Sequence, residues 1–325
     1  MFENKKFILF LKECIAQERD VVAITLLDTK GSSYQKIGAT MFVDDCGRSI
    51  GVVSAGCFEE KMLQCTKEVL ASRKGKYVVH DLRIDSDTIE CWTQSIGCDG
   101  LLKFWLEPFY FDLNYSALGI AFNSALKKEK ITIMRSIENT GSYTITSDAS
   151  SNTWFNEQEK YFKQKISSPY RLLIFGAGPG CDPLVSIADT LGWLTIVADT
   201  RPHLLKSVLK ADTLHYLDSA EDAHNLLLEN KFDAVVIMSH VFNDDKTYIE
   251  SALLSDVQYI GVLGSKKRTT MLIQALIQNT DRSLDSRLHY PVGLDLGGSS
   301  PESIALAICA EIEIKRNNRS SISAH

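Results

Sequence analysis

Two of the eight cysteines, Cys57 and Cys98, stand in glycine-flanked segments, "SAGCFEE" (54–60) and "SIGCDG" (95–100). Gly56 precedes the first, and Gly97 and Gly100 bracket Cys98-Asp99. Glycine neighbours keep a cysteine on an open backbone instead of inside a packed element. Cys57 falls on the first turn of a helix predicted over 57–72. A helix N-terminus lowers a thiol's pKa and favours the nucleophilic thiolate. Glu59 and Glu60 oppose that effect if they fold back. Thiols so placed suit metal ligation or nucleophilic chemistry, and two of them could share one site. The ordinary alternative, a small buried hydrophobe, is the expectation for most of the remaining cysteines. Cys65 lies about 12 Å from Cys57 along one helix, too far for a disulfide. No CxxC pair occurs, which argues against a zinc ribbon or a dithiol redox motif.

A second constellation begins at "FGAGPGCDP" (175–183). Gly176 permits a tight turn after a strand, and Gly178 lets backbone approach a phosphate. Gly180 precedes a helix whose N-terminus offers free N–H groups. Cys181 stands where a dinucleotide fingerprint wants glycine or alanine. Asp199 ends the next strand, at the spacing of an acid that binds a ribose diol. Arg201 follows and could meet a second phosphate. His240 ends a later strand, "GSKKR" (264–268) supplies Gly264 and Ser265 before three cations, and "GLDLGGSSPE" (293–302) carries Asp295. This pattern suits a nucleotide- or pterin-type ligand. A tight βα turn with no ligand, or a methyltransferase-like turn, uses the same glycines.

The elements that must position these residues are legible from periodicity. Residues 171–178, 194–200, 215–217, 233–240, 257–264 and 291–297 read as six short strands. Most are apolar without alternation, as in a parallel sheet covered on both faces. Helices are predicted between and after them, over 183–192, 219–230, 244–255, 266–278 and 300–315. The result is an α/β, doubly wound, Rossmann-like parallel sheet. Its strand ends share one ligand edge, which gathers Gly176, Asp199, His240, Gly264 and Asp295. The N-terminal region reads as α+β, with a helix at 7–17 and strands at 21–29, 76–82 and 101–108. A hairpin over 39–56 turns near Asp45–Gly47. The expected boundaries are 1–115 for this domain, 116–168 for an extension and linker, and 169–325 for the Rossmann-like domain. Within 116–168 a helix (118–129) and strands (131–137, 142–147) precede a polar stretch read as linker.

The formal net charge of −6, with both signs scattered, gives no basic stripe for nucleic acid. The apolar run 7–11 lies between lysines and lacks a cleavage site, and no segment reaches the roughly 18 apolar residues of a membrane span. A cytoplasmic protein without a disulfide framework is expected.

Several motifs in a fixed order resemble the XdhC/CoxI family, accessory proteins of xanthine dehydrogenase-type molybdenum hydroxylases. They are "GSSYQKIGATMFV", "GRSIGVVSAGCFEE", "IGCDGLLKFWLEP", the stretch from "LLIFGAGPGCDP" to "VADTRP", "AVVIMSH", "YIGVLGSKKR" and "RLHYPVGLDLGGSSPESIALAICAEI". The resemblance implies binding, protection and delivery of the molybdenum cofactor (molybdopterin). It also implies a cysteine desulfurase as sulfur source, the apo-hydroxylase as client, and a chaperone more than a turnover enzyme. Cys57 and Cys98 become thiols near the cofactor's molybdenum or dithiolene sulfurs, with Glu59 orienting the site or moving a proton. Ala55 departs from the family's usual Gly-Gly before the first cysteine, and Cys181 from its usual alanine. A homodimer is the expected assembly. An NAD(P)-dependent oxidoreductase using Gly176, Gly178 and Asp199 is the alternative, and an empty scaffold gripping the hydroxylase is a third reading.

Overall fold

Residues 171–175 are apolar at four of five positions because both faces of the strand they form are covered. In the computed structural model Leu172 and Ile174 meet one helical layer and Leu173 and Phe175 the other. The structure describes residues 2–31, 35–53, 59–81, 100–147, 153–277 and 285–317. The chain divides into two compact units, Met1–Ser168 and Pro169–His325.

In the first unit α1 (Lys5–Ala16) precedes β1 (Val21–Gly31), β2 (Thr40–Asp44) and β3 (Ser49–Ile50). After α2 (Glu59–Ser72) come β4 (Lys76–Asp81), β5 (Gly100–Phe109) and α3 (Ser116–Lys127). Asn4 caps α1 by accepting from the Lys6 N–H at 2.9 Å. The strands form an antiparallel sheet ordered β3-β2-β1-β5-β4. Along β1 the side chains alternate between two cores. Val21 and Ala23 join the core of α1 and α3, while Val22, Ile24 and Leu26 meet Met62 and Val69 of α2. The hairpin turning at Asp45–Gly47 is present, as expected.

A second antiparallel sheet follows in the same unit, ordered β7-β6-β9-β8. It comprises β6 (Ile131–Ser136), β7 (Tyr143–Thr146), β8 (Trp154–Asn156) and β9 (Tyr161–Ile166). The polar stretch after residue 155, expected as linker, contains β9. Phe162, Gln164 and Ile166 are buried in alternation with Tyr161, Lys163 and Lys165, and the lysines mask that period of two.

The second unit runs β10 (Arg171–Phe175), α4 (Cys181–Thr190), β11 (Leu194–Asp199), α5 (Pro202–Leu205), β12 (Thr213–Tyr216) and α6 (Asp222–Glu229). It continues through β13 (Ala234–Ile237), α7 (Phe242–Leu253), β14 (Tyr259–Val262), α8 (Lys266–Ile277), β15 (Leu288–His289) and α9 (Pro301–Arg316). The six strands are parallel and ordered β12-β11-β10-β13-β14-β15, a Rossmann-like sheet. α4 and α9 cover one face, and α6, α7 and α8 the other. The order reverses between β10 and β13, so the crevice of such folds opens beside Gly176.

The sixth strand differs from expectation. It comprises Leu288 and His289 only, and 291–297 is irregular. Pro291 lacks an N–H for the ladder, and Gly293 and Gly297 have φ of +99° and +76°. A polar knot holds this region. Glu311 Oε2 accepts from the Tyr259 hydroxyl at 2.6 Å and the Gly293 N–H at 2.8 Å, and His289 Nδ1 lies 3.2 Å from Oε1. Burial pushes the Glu311 carboxyl up, but these bonds outweigh it and hold the pKa down to about 2.

Candidate functional site

β10 ends at Phe175, and the chain must turn at once because the end of β13 lies alongside. Gly176 does this with φ +112°, and a Cβ there would stand 2.6 Å from the Met238 carbonyl and the Ser239 Cα. Gly178 is different. No heavy atom beyond its chain neighbours lies within 4 Å of where its Cβ would be, so neither packing nor a left-handed φ requires glycine. Open space above a glycine at a helix start is what an approaching phosphate needs. A Cβ on Gly180 would meet only Met238 Cε, at 3.1 Å. Cys181 is fully buried in the first turn of α4, where burial, with Asp182 and Asp199, pushes its thiol up to about 12. It is a packing residue.

Asp199 closes β11 with its carboxylate 2% exposed. Its Oδ2 accepts from the Ala177 N–H at 2.7 Å and from Arg201 Nη2 at 2.8 Å. Its Oδ1 accepts from the Arg201 N–H and Nε, both at 2.8 Å. Burial works against the charge, but these donors prevail and hold the carboxyl below its usual range. Arg201 Nη2 also donates to the Ser239 carbonyl at 3.2 Å. One ion pair thus joins the glycine turn, the end of β11 and the end of β13.

Ser239 and Asp245 buttress that edge. Asp245 is fully buried and accepts from Ser239 Oγ at 2.6 Å and Arg268 Nη2 at 2.7 Å, tying β13 to α7 and α8. Sequence reasoning passed over both, although Asp245 closes the "HVFNDD" segment after the fourth strand and lies in the first turn of α7. Next to them His240 is exposed with φ +63°, a left-handed conformation rare outside glycine and frequent at functional sites. Gly264 (φ +149°) and Ser265 follow β14, where Ser265 Oγ accepts from the Arg268 N–H at 3.3 Å. Asp295 lies on the exposed loop after β15 and accepts from the Gly297 N–H at 3.3 Å. The structure therefore brings Gly176, Gly178, Gly180, Asp199, Arg201 and His240 around the ends of β10, β11 and β13. It spreads the other three along the same sheet edge.

In the first unit Gly56, Cys57, Gly97 and Cys98 lie outside the described residues. Glu59 opens α2, and its side chain is not among those described. Among the other thiols Cys14 and Cys309 are buried and Cys65 half-buried, whereas Cys46 is exposed against the Arg19 guanidinium. What the unit does show is an open groove of about 780 Å³. Its rim carries residues 35–40 of the "GSSYQKIGATMFV" motif with Gly51 and Val52, which precede the cysteine segment in the sequence. Lys36 and Lys165 offer two cations there, against the one carboxylate of Glu3. Gln164, 1% exposed, contributes from β9, with Nε2 donating to the Gly38 carbonyl at 3.1 Å. Its Oε1 accepts from Arg135 at 2.5 Å, and Arg135 pairs with buried Glu107 at 2.9 Å. A volume of this order suits a small-molecule ligand.

Two family models match the chain: "XdhC and CoxI family" over residues 14–81 and "XdhC Rossmann domain" over 172–312. The chain belongs to the XdhC and CoxI family. The first XdhC/CoxI match contains Cys57, Glu59 and the 35–40 and 51–52 rim, and the second contains the set from Gly176 to Asp295. Cys98 and β9 fall between them. Among relatives, a Bacillus subtilis protein named as a probable xanthine dehydrogenase subunit is 28% identical, over 94% of this chain and 96% of that protein. The molybdenum cofactor insertion chaperone PaoD of Escherichia coli is 21% identical, over 95% of this chain and 88% of its own length. A solved Bacillus halodurans structure named a xanthine dehydrogenase superposes with a TM-score of 0.76 at 28% identity, covering 100% of this chain and 98% of that one. PaoD is, by its name, a maturation factor.

Proposed function

We propose that this protein binds the molybdenum cofactor, shields it, and delivers it to a xanthine dehydrogenase-type hydroxylase. The observation that carries the reading is the first-unit groove, whose rim includes Gly51 and Val52, shortly before Cys57 in the sequence. Its volume accommodates a pterin, and Lys36 and Lys165 complement a phosphate. The name of PaoD points the same way. When bound, the cofactor supplies a soft molybdenum–sulfur centre. The chain's own share is to orient it and exclude water. Cys57 and Cys98 provide soft thiolates beside it, and Glu59 holds or moves a proton there. Sulfur supply from a cysteine desulfurase, a homodimeric assembly and a cytoplasmic location belong to the same proposal. No helix among the described residues is long and apolar enough to cross a membrane.

The test is the cofactor that copurifies from cells able to make it, quantified as its fluorescent oxidised pterin. Cys57→Ala should retain clearly less than the parent, and Cys65→Ala as much. Equal retention in both variants removes the thiol role. No pterin with the parent protein removes the binding reading altogether.

A further inference from the structure

The acid at the end of the second Rossmann strand ordinarily accepts hydrogen bonds from a ribose diol. Here that acid is Asp199, and it has nothing left to accept with. A carboxylate offers about four lone-pair sites. Four donors fill them: the Ala177 N–H and the N–H, Nε and Nη2 of Arg201. Three of the four come from one residue, and two of those are charge-assisted bonds in a side-on fork, the strong kind. A diol would have to displace them inside a site where the carboxylate is almost wholly enclosed.

Arg201 is left with the opposite capacity. Its Nη1 has no hydrogen-bond partner among the described residues, its side chain is 33% exposed, and Asp244 is a further carboxylate near enough to act on it. Asp199 and the Ser239 carbonyl fix the guanidinium plane, so little side-chain freedom remains to be lost on binding. Asp199 Oδ2 links Arg201 to the glycine turn, since it also accepts from the N–H of Ala177, the residue before Gly178, whose Cβ position is uncrowded. We infer that the second unit binds a phosphomonoester through Arg201 and the Gly178 cradle, and discriminates against ligands that present a free ribose diol there. The phosphate could belong to a nucleotide or to a phosphorylated pterin. For the pterin the inference rests on the function proposed above.

Calorimetric titration of the full chain with two pairs of probes tests it. One pair is adenosine 2′,5′-bisphosphate against adenosine, which keeps the diol and has no phosphate, with NAD⁺ alongside. The other is the oxidised fluorescent pterin of the cofactor before and after phosphatase treatment. The phosphate-richer member should bind at least about tenfold tighter, the worth of one charge-assisted contact, and Arg201→Gln should narrow that gap. Because Arg201→Gln strips a buried carboxylate of its partner, Gly178→Ala serves as a second variant. It should weaken the phosphorylated probes while melting at the parent temperature. NAD⁺ binding as tightly as the bisphosphate, a gap unchanged in both variants, or no binding by any probe overturns the inference. A phosphate preference confined to the nucleotides upholds it and counts against the cofactor reading for this unit. Pterin binding indifferent to phosphate upholds the cofactor reading and overturns the inference.

Discussion

Replacing Gly176 by alanine should weaken the second unit far more than the same change two residues on. The added methyl meets a positive φ of +112° and, at 2.6 Å, the Met238 carbonyl and the Ser239 Cα. None of these is the free end of a side chain, so the strain can relax only if β10 and β13 separate. That movement stretches the Met238 N–H bond to the Phe175 carbonyl, now 2.8 Å. Left-handed strain on a residue with a Cβ and overpacking against fixed backbone together cost about 3–5 kcal/mol. For a unit of this size that lowers the melting temperature by roughly 10 °C. Gly178→Ala adds a methyl to open space at an ordinary φ, and its effect on stability should stay within about 0.5 kcal/mol of zero. Thermal melts by circular dichroism compare the two, and hydrogen exchange in 171–175 and 234–237 localises the damage. Equal melting temperatures for both variants would refute this account of the turn. A Gly178→Ala protein that melts early would show that its glycine serves the fold.

Two further outcomes follow from buried charge. Glu311 titrates at about 2 in the folded chain against an ordinary 4.5, so its stabilisation is present above pH 4.5 and is lost as pH falls toward 2. The difference is worth about 3 kcal/mol; unfolding measured from pH 6 to 2.5 should show that loss in the parent and a shallower one in Glu311→Gln. Arg135→Met removes the partner of buried Glu107 and a donor to Gln164, which should cost about 3 kcal/mol in urea unfolding. Adding Glu107→Gln should recover part of it, and no recovery would mean that the pair is not coupled.

Strands covered on both faces announce themselves, which is why β10, β11, β13 and β14 were legible from apolar runs alone. β9 was not, because lysines occupy its solvent face and a glutamine one of its buried positions, so composition hid the alternation. β15 was misplaced because Val292 and Leu294 look like strand residues, while Pro291 and the two left-handed glycines bend the chain away. The glycine turn and its acid could be named from spacing, since a strand-turn-helix leaves few choices there. The saturation of Asp199 could not. Spacing shows that an acid and an arginine are near, but only coordinates show which lone pairs are taken. The groove was invisible for a related reason. Its walls come from residues near 3, 36, 51 and 165, brought together by two different sheets.

That division of labour bears on how such a protein can diversify. Gln164 and Lys165, which line the groove beside the "GSSYQKIG" stretch, belong to a strand outside both family-matched stretches. Changes in that strand alter the shape and charge of the groove without touching the sequence segments that carry Cys57 and Cys98 or the Rossmann-like unit. A chimera that exchanges residues 131–166 between relatives therefore replaces one wall of the groove and leaves the walls built from residues 3–7, 35–40 and 51–52 in place.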